Sequence, residues 1–530
     1  MLLATMLVPL LLLAACIHPR ARARMPFLLG LAPLPGLAAA LLGPGQSVVF
    51  YADWLRLTLS LDGPAALLLG AAALLWAAAG FYAGAYLGAK PGAQRFAAWW
   101  LITLSGSLGV FIAGDLVTFY LAFAMVSLAA YGLVVHDGTA AARRAGSVYI
   151  LLAVVGEICL LLGFALLAVN EGGASLAIAD AMAALPHSPW RLVTVALLIA
   201  GFGLKAGLVP LHVWLPLAHP AAPMPASAVL SGAIIKAGII GLIRFMPDDG
   251  SMGPALGVLG FLTAFYGVAV GLTQQNPKTV LAYSSVSQMG VVMAALGFGL
   301  AGGDAATPEA AAFYATHHVL AKGALFLAVG VAYTLGPRGL KWLAAPVVLL
   351  VLSFGGLPFT GGALAKAATK AQLGEGLLGW LAALSAAGTT ALMLHFAGRL
   401  RACVAAEAEG TAGPALVIPW LGLTAAAVLI PWALYPGDLA YALSPPAFWG
   451  GLWPILLGAA IALALRRITL PAIPEGDVLL PAERGFARLA PPIAEAAGRI
   501  ERQLRTWPSA GLAMLLIAIA LGAAMALAGP

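Results

Sequence analysis

Ionisable side chains stand inside long apolar runs of this sequence: Glu157, Lys205, Lys236, His317, His318, Lys322, Lys366, Lys370 and His395. Carboxylate, ammonium and imidazole groups all exchange protons, and imidazole does so near neutral pH. An ammonium group that loses its hydration releases its proton more readily, and a carboxylate beside it opposes that release. His318 and Lys322 are four residues apart, so on a helix they share one face. Charges inside a membrane usually mark ion paths, and the series therefore predicts a proton path, with static buried ion pairs as the alternative.

Two further histidines follow the first lysine of this series. His212 and His219 lie in the stretch "PLHVWLPLAHPAAP", which ends one of the apolar runs. They are candidates for proton uptake at the inner surface. The alternative is that they only hold loop backbone in place, and the sequence leaves both interpretations open.

The composition identifies an integral membrane protein without a large soluble domain. Of 530 residues, 62% are hydrophobic and 9% are charged, whereas soluble domains carry about 25% charged residues. The net charge of +7 does not predict nucleic-acid binding, because the basic residues lie in short loops, where they set membrane topology. Cys16, Cys159 and Cys403 are not spaced as metal ligands. We therefore expect no cofactor, no metal site and no catalytic residue in this chain.

Membrane spans follow from apolar length. A helix needs roughly 20 apolar residues to cross the hydrocarbon core, and about sixteen runs meet that criterion. Their approximate cores are 2–17, 25–43, 64–88, 96–113, 116–135, 146–169, 191–209, 226–246, 254–273, 279–300, 309–334, 343–373, 377–398, 414–434, 447–465 and 509–528. The first is predicted to be a helix rather than a signal peptide, because its positive charges follow the apolar run.

Loop charges predict the orientation. With the N-terminus outside, the inner loops hold most basic residues: Arg20, Arg22, Arg24, Lys90, Arg95, Arg143, Arg144, Lys278, Arg338, Lys341, Arg399, Arg401, Arg466 and Arg467. The outer loops are mainly acidic, with Arg56 and Arg191 as exceptions. This alternation is what the positive-inside rule expects. It predicts a multi-pass protein of a bacterial inner membrane with both termini on the outer face.

Two spans are interrupted next to a lysine. The seventh breaks at Pro210 and Pro216 after Lys205, and the twelfth breaks around Pro358 before Lys366. Broken helices at matching places in two halves indicate a transport path. The offset of five spans predicts two inverted five-helix repeats, residues 96–246 and 254–400. N-terminal helices over 1–95 precede them, and C-terminal helices over 401–480 follow.

The last segment, residues 481–530, has a different pattern. Arginines recur on one side of a helical pattern and Leu, Ile and Ala on the other: Arg484, Arg488, Arg499, Arg502 and Arg505. This pattern predicts an amphipathic helix along the inner surface, followed by a final transmembrane helix. The alternative is a plain cytoplasmic linker.

Four stretches of the chain resemble one known family. "GFGLKAGLVPLHVWLPLAHPAAPMPASAVLSGAIIKAGIIGLIRF", "LAYSSVSQMG", "THHVLAKGALFL" and "GGLPFTGGALAK" are similar, in this order, to the antiporter-like membrane subunits of complex I, Mrp antiporters and energy-converting hydrogenases. The stretch "PLHVWLPLAHPAAP" is most similar to the formate hydrogenlyase-type hydrogenase branch. The match covers residues 95 to 400 well.

The resemblance implies an all-α fold of fourteen core helices with two inverted five-helix repeats and two broken helices. It implies proton translocation through a hydrated axis, with Lys205 and Lys236 as the lysines of helices seven and eight. By motif, His318 and Lys322 match the relay of helix eleven and Lys366 the terminal residue of helix twelve. The C-terminal segment would be a short lateral arm.

The chain departs from the family pattern at the partner of Lys205. The family usually carries a glutamate in helix five, and Phe123-Ala124 stand where its "WE" pair belongs. Asn276 replaces an acid and Gln288 a histidine in two other motifs. Glu157, one helix further on, is the candidate substitute.

The resemblance implies a non-catalytic proton-translocating subunit of a redox-driven complex. Its partners would be other membrane subunits and peripheral redox or transport subunits, and the ion would be the proton, with Na⁺ as an alternative. Two other functions stay open: a subunit of an Mrp-type Na⁺/H⁺ antiporter, or the membrane partner of a proton-driven inorganic carbon transporter. A fourth possibility is a scaffold that no longer pumps.

Overall fold

The structure is a computed structural model that describes residues 1–52, 55–88, 90–170, 175–247, 250–404, 413–468, 470–471, 473–480 and 495. The chain divides into two units, Met1–Gly476 and Asp477–Pro530. In the second unit only residues 477–480 and 495 are described. The amphipathic helix and final span predicted over 481–530 therefore lie outside the described residues, apart from Glu495.

Helices make up most of the first unit. They are α1 Leu2–Ala15, α2 Pro19–Leu28, α3 Leu34–Leu41, α4 Gly63–Leu87, α5 Ala93–Ile112, α6 Leu116–Val134, α7 Ala140–Asn170, α8 Ile178–Ala184, α9 Arg191–Ala206, α10 Trp214–Ala221, α11 Met224–Val229, α12 Lys236–Phe245, α13 Gly253–Gly271, α14 Pro277–Ala301, α15 Thr307–Gly355, α16 Gly361–Ala368, α17 Lys370–Leu373, α18 Leu377–Cys403, α19 Pro414–Leu434, α20 Leu439–Ala442 and α21 Pro445–Leu465.

The membrane character of the chain is confirmed. Within the described residues, twelve helical segments are long and apolar enough to cross a membrane. They coincide with twelve of the runs predicted from the sequence. Helices satisfy all backbone hydrogen bonds within one segment, which is why apolar length alone locates membrane spans so well.

The N-terminal prediction was only partly right. The run 25–43 does not form one helix but two short ones, α2 and α3, with a turn between them. Pro33 lies at this turn and Pro35 in the first turn of α3, and proline lacks the N–H that would continue a helix. The first helix, α1, has 14 residues, fewer than the roughly 20 that a perpendicular span needs.

The prediction of an all-α chain was wrong at one place. Residues Ser47–Ala52 form strand β1, which pairs antiparallel with β2, Leu55–Ser60. The stretch is rich in β-branched and aromatic residues, which favour strands. Asp115 attaches this hairpin to α6: its carboxylate accepts from the amide of Thr58 at 2.6 Å and from the amide of Thr118 at 2.8 Å.

The eleventh and twelfth predicted spans are not separated by a loop. The backbone is helical throughout α15, from Thr307 to Gly355, so the predicted inner loop with Arg338 and Lys341 belongs to this helix. At about 1.5 Å per residue, its 49 residues exceed the length of a single span. α15 carries the eleventh span and the first half of the twelfth.

Both predicted helix breaks are present. α9 ends at Ala206 and the chain resumes as α10 at Trp214; α15 ends at Gly355 and resumes as α16 at Gly361. Gly207 and Gly356 follow the two ends with φ of 90° and 94°, the left-handed conformation that commonly ends a helix. A helix break leaves backbone carbonyl oxygens without helical partners, and side chains bond to such oxygens here. Trp214 Nε1 donates to Leu204 O at 2.9 Å, and Lys366 Nζ donates to Gly355 O.

The two lysine-bearing helices α9 and α12 cross at a glycine. A Cβ placed on Gly238 would lie 2.7 Å from the amide nitrogen of Ala206, which is closer than atoms can approach. Only glycine therefore allows this crossing. It lies one residue from Lys205 on α9 and two residues from Lys236 on α12.

We expect Gly238→Val to destabilise the protein, because the added carbons meet backbone that cannot give way. Overpacking of this kind costs about 1–3 kcal/mol. The measurement is the apparent melting temperature of the purified protein in detergent. Gly422→Val is the matched control, since a Cβ on Gly422 in α19 meets nothing within 4 Å. Equal melting temperatures for both variants would contradict the close crossing.

Candidate functional site: a buried row of lysines and histidines

Lys205 lies in a pocket of hydroxyl groups and aromatic rings near the end of α9. Its side chain is 3% exposed. The ammonium group donates to Ser127 Oγ at 3.0 Å and to Tyr149 OH at 3.3 Å. It also lies 5.7 Å from the ring centres of Phe123 and Tyr149. Hydroxyl oxygens and ring faces thus replace the hydration shell of this cation.

Glu157 reaches the same pocket from α7. It is 6% exposed, and it interacts electrostatically with Lys205. Ser127 is a neighbour of both side chains. Ser127 interacts with the Glu157 carboxylate, although no hydrogen bond of normal geometry joins the two side chains. The structure therefore brings Glu157 and Lys205 to one site without a direct ion pair.

The second lysine begins α12 directly after a π-helical turn. Residues Leu230–Ile234 form this turn, and such wide turns occur often at functional sites. Lys236 is fully buried. Its ammonium group donates to Ser231 O at 3.0 Å and lies 2.6 Å from His318 Nδ1. This contact joins the first half of the chain to α15.

His318 and Lys322 share one face of α15, as predicted from their spacing. Both are fully buried. Lys322 Nζ donates to Leu281 O at 3.0 Å and lies 4.9 Å from the centre of the Phe354 ring. His318 also packs against Phe354, with ring centres 5.8 Å apart. Lys322 and His318 interact electrostatically, so both belong to the environment of Lys236.

A second contact leads from α15 to the break before α16. His317 Nε2 lies 3.0 Å from Ser353 Oγ, which also accepts from the amide of Gly362 at 3.1 Å. Lys366 bonds to Gly355 O, two residues after Ser353. His317 and Lys366 interact electrostatically. Lys366 is thereby placed at the end of a row that begins at Lys236.

A cavity of about 400 Å³ adjoins Lys366. Its wall includes a hydrogen-bonded chain in which Tyr314 OH donates to Gln288 Oε1 at 2.8 Å and Gln288 Nε2 donates to Thr389 Oγ1 at 3.0 Å. Gln288, at the position where the family resemblance implies a histidine, thus takes part in a polar wall. Lys370 lines the same cavity but is exposed and paired with Glu375 at 3.0 Å, so it does not belong to the buried series.

His212 and His219 are buried rather than exposed in a loop. His219 stacks on Phe326 with ring centres 4.7 Å apart, and His212 contacts the ring of Tyr266 at 4.8 Å. The ring nitrogens of His219 have no hydrogen-bond partner among the described residues, whereas the ring of His212 interacts with the backbone of Pro210. Both interpretations of these two histidines therefore stay open.

His395 lies apart from the row. Its Nε2 is 2.8 Å from the carbonyl oxygen of Gln274, in the short connection between α13 and α14. On the same connection Arg399 Nε donates to Gln275 O at 3.0 Å. His395 therefore lies at one end of these helices, beside a loop, and not beside Lys322 or Lys366.

The loop after α6 holds another buried histidine. Arg95 Nη2 donates to the carbonyl oxygen of His136 at 2.9 Å. Burial lowers the pKa of His136, Asp137 opposes this shift, and Arg95 adds to it. Burial beside Arg95 thus favours the neutral form of His136.

Sequence reasoning missed the hydroxyl groups of the site. Ser127, Tyr149 and Ser353 each contact a predicted residue, yet they do not stand out in the sequence, because single hydroxyl residues occur in many of its apolar runs. Ser127 had a usable signal, because it follows Phe123 by four residues and shares its helix face. Among the described residues no three His, Cys, Asp or Glu side chains form a metal-binding group.

The chain matches one protein-family model over residues 113–392, described as "NADH:quinone oxidoreductase/Mrp antiporter, TM". This range includes every residue of the buried row.

Curated relatives come from several kinds of complex. Hydrogenase-4 component B of Escherichia coli (strain K12) is 27% identical over 68% of this chain and 56% of its own length. An NADH-quinone oxidoreductase subunit of Desulforudis audaxviator is 34% identical over 48% of this chain and 52% of its own. An Na(+)/H(+) antiporter subunit of Alkalihalophilus pseudofirmus is 28% identical over 51% and 58%. The chain spans 52% to 58% of the length of these three relatives.

Two solved structures share the fold. A chain of the Mrp complex from Dietzia sp. DQ12-45-1b superposes with a TM-score of 0.74 at 24% identity, over 100% of this chain and 63% of that chain. A chain of the membrane-bound sulfane sulfur reductase, an archaeal respiratory membrane complex, gives 0.73 at 21% identity, over 98% and 99%. At these identities the likeness concerns the fold alone.

Proposed function

Because this chain belongs to the family of NADH:quinone oxidoreductase and Mrp antiporter membrane subunits, we propose that it moves protons across the membrane as one subunit of a larger redox-driven complex. Electron transfer would take place in partner subunits, and this chain would supply the proton path. The observation that carries the proposal is the buried contact of Lys236 with His318 at 2.6 Å. It joins two groups that can exchange a proton directly.

From His318, the proposed path continues along α15 to the helix break between α15 and α16. His317 precedes it on α15 and contacts Ser353, whose hydroxyl lies at the helix break. Lys366 follows on the other side of the break and borders the cavity of about 400 Å³. A serine hydroxyl can both donate and accept, so it can pass a proton between imidazole and ammonium through water.

In the first half of the chain, the pair of Glu157 and Lys205 would act as the switch that controls proton release. Glu157 and Lys205 share a site, and the charge of one changes the proton affinity of the other. A carboxylate that moves or gains a proton makes Lys205 release its own proton. The close crossing at Gly238 supports this proposal, because it brings α9 next to the helix that carries Lys236.

Uptake from the inner side would use His212 and His219. Buried polar groups of proteins are almost always hydrogen-bonded to protein or to ordered water. The ring nitrogens of His219 lack a protein partner among the described residues, and no hydrogen bond of normal geometry reaches the two oxygens of Glu157. We assign these atoms as the places where water completes the path. His395 would take part only at the inner end of α18.

The finer architecture also belongs to this proposal. We assign residues 96–246 and 254–400 as two inverted repeats within a core of fourteen helices, with helices over 1–95 before them and over 401–480 after them. The two left-handed glycines at the breaks, Gly207 and Gly356, support this pairing. A lateral helix and final span over 481–530 complete the assignment.

The experiment that tests the function is proton transport by the complete complex in sealed vesicles. The redox reaction of the complex drives transport, and a pH-sensitive dye records it. We expect transport to persist when Na⁺ is replaced by a large organic cation. Transport that stops without Na⁺ would favour sodium–proton exchange. A complex that turns over without any proton movement would contradict the proposal.

We predict that the loop after α6 faces the inside of the cell. In a variant without Cys16, Cys159 and Cys403, a cysteine placed by Arg143→Cys is expected to react with an impermeant maleimide only from the inner side. Asp438→Cys, in the connection after α19, is the matched control and is expected to react only from the outer side. The reverse labelling pattern would overturn the orientation and with it the direction of transport.

A further inference from the structure

A second and larger cavity, of about 980 Å³, lies at the end of the helices that carries the inner-loop arginines. The second half of α15, the last turns of α18 and the end of α21 form its walls. Most of the lining is apolar, with Leu343, Val347, Leu394, Leu463 and Ile468 among the residues that face it. Leu463 and Ile468 are 59% and 57% exposed, so this apolar wall is open to a ligand beside a basic loop.

The rim of this cavity is cationic. Arg399, Arg401 and Arg466 line it, and none forms an ion pair with an acidic side chain of the described residues. Glu475 is the acidic residue of the lining, and its carboxylate accepts from the amides of Gln275 and Asn276 at 2.9 and 2.8 Å. The negative charge is therefore engaged at the start of α14, and the arginines have no acidic partner in the part of the chain that the structure describes.

We propose that this cavity binds one anionic phospholipid of the inner leaflet, with its phosphate on Arg401 and Arg466 and its acyl chains against the apolar wall. Basic pockets between transmembrane helices on the cytoplasmic side bind anionic headgroups in this way. The position agrees with the inner side predicted from loop charges. The lipid holds α15, α18 and α21 together at the inner surface.

Both parts of the cavity are needed for this assignment. A free anion would use the arginines but leave the apolar wall of the cavity unoccupied. A zwitterionic lipid would use the wall but not neutralise the rim. The basic segment from residue 481 has the same sign of charge as the rim, so its charge does not complement the arginines. An anionic phospholipid satisfies the charge and the apolar surface together.

The test compares lipid retained by two variants of the full chain purified within its complex. The double variant Arg401→Gln/Arg466→Gln removes two exposed cations of the rim. Arg467→Gln is the control, because it removes the neighbouring arginine, which does not line the cavity. Phosphatidylglycerol is the probe, titrated into delipidated protein and counted by native mass spectrometry, with phosphatidylcholine as the neutral comparison.

We expect the double variant to bind phosphatidylglycerol roughly 30-fold more weakly, from about 1 kcal/mol per lost cation at about 1.4 kcal/mol per decade. The Arg467→Gln control retains wild-type binding. Ala462→Phe, which fills the wall without changing charge, also weakens binding if acyl chains occupy the cavity. Unchanged binding in the double variant, or equal affinity for phosphatidylcholine, overturns the proposal. Equal binding of inorganic phosphate, without any lipid, also overturns it. None of these outcomes depends on proton transport.

Discussion

We expect the complex with Lys236→Met to lose proton transport by roughly 100-fold or more, which is the contribution of one positioned proton-transfer group. Methionine has a similar length and an apolar, flexible side chain, so it fills the space of the buried lysine. It cannot accept a proton from the first half or pass one to His318, which lies 2.6 Å from Nζ. The measurement is redox-driven proton uptake into vesicles.

Two controls separate loss of a proton carrier from loss of structure. Lys236→Arg keeps a positive charge, but a guanidinium group does not release its proton, so this variant is expected to be as inactive as methionine. Lys341→Met removes an exposed lysine, which lies over the ring of Trp342 at 5.5 Å, and is expected to transport normally. Full transport by an assembled Lys236→Met complex would contradict the path through His318.

The sequence was sufficient for most spans and for both helix breaks. Apolar length decides where a helix crosses a membrane, and proline and glycine mark where it ends, as at Pro210 and Gly356. The same logic failed at residues 25–43, where hydropathy indicated one span and the prolines divided it. Hydropathy averages over a window and does not register the hydrogen bonds that a proline removes.

The hairpin β1–β2 and the long helix α15 show a second limit. The hairpin depends on a contact with Asp115, which lies more than fifty residues away in the chain. The stretch around Arg338 reads as a loop because it is charged, yet the backbone continues as helix through it. Long-range contacts decided the first case, and charge alone misled in the second.

The candidate site was predicted in its charged residues and missed in its neutral ones. A lysine or glutamate in an apolar run is visible because its burial is costly. Ser127, Tyr149 and Ser353 carry no such signal, since hydroxyl groups are common in membrane helices. Tyr149 comes from α7 and Ser127 from α6, and only the packed fold shows that both reach Lys205.

The second large effect is expected at Glu157. The family resemblance implies a carboxylate partner of the first lysine on helix five, and Ala124 cannot supply one. Glu157 interacts electrostatically with Lys205 from α7 and is buried. We therefore expect Glu157→Gln to reduce proton transport by roughly 100-fold or more, while the complex still assembles.

Glutamine has the size and shape of glutamate but does not ionise, so Lys205 loses the group that sets its proton affinity. Glu309→Gln is the matched control, because Glu309 is an exposed acid in the first turn of α15 and does not line the cavity beside Lys366, and we expect it to transport normally. Assembly is measured by co-purification of the partner subunits. Normal transport by Glu157→Gln would mean that the carboxylate of α7 is not the switch.

A rescue experiment distinguishes a requirement for any carboxylate from a requirement for this position. Ala124→Glu in the Glu157→Gln background returns the acid to the helix where relatives carry it. Ala124 lies three residues before Ser127, on the turn of α6 that contacts Lys205, so a glutamate there is within reach of the ammonium group. We expect transport to recover in part, because Phe123 lies 5.7 Å from Lys205 and crowds the new side chain. Recovery would mean that Lys205 needs a nearby carboxylate on either helix. An assembled double variant without transport would mean that the switch depends on the position of the carboxylate on α7.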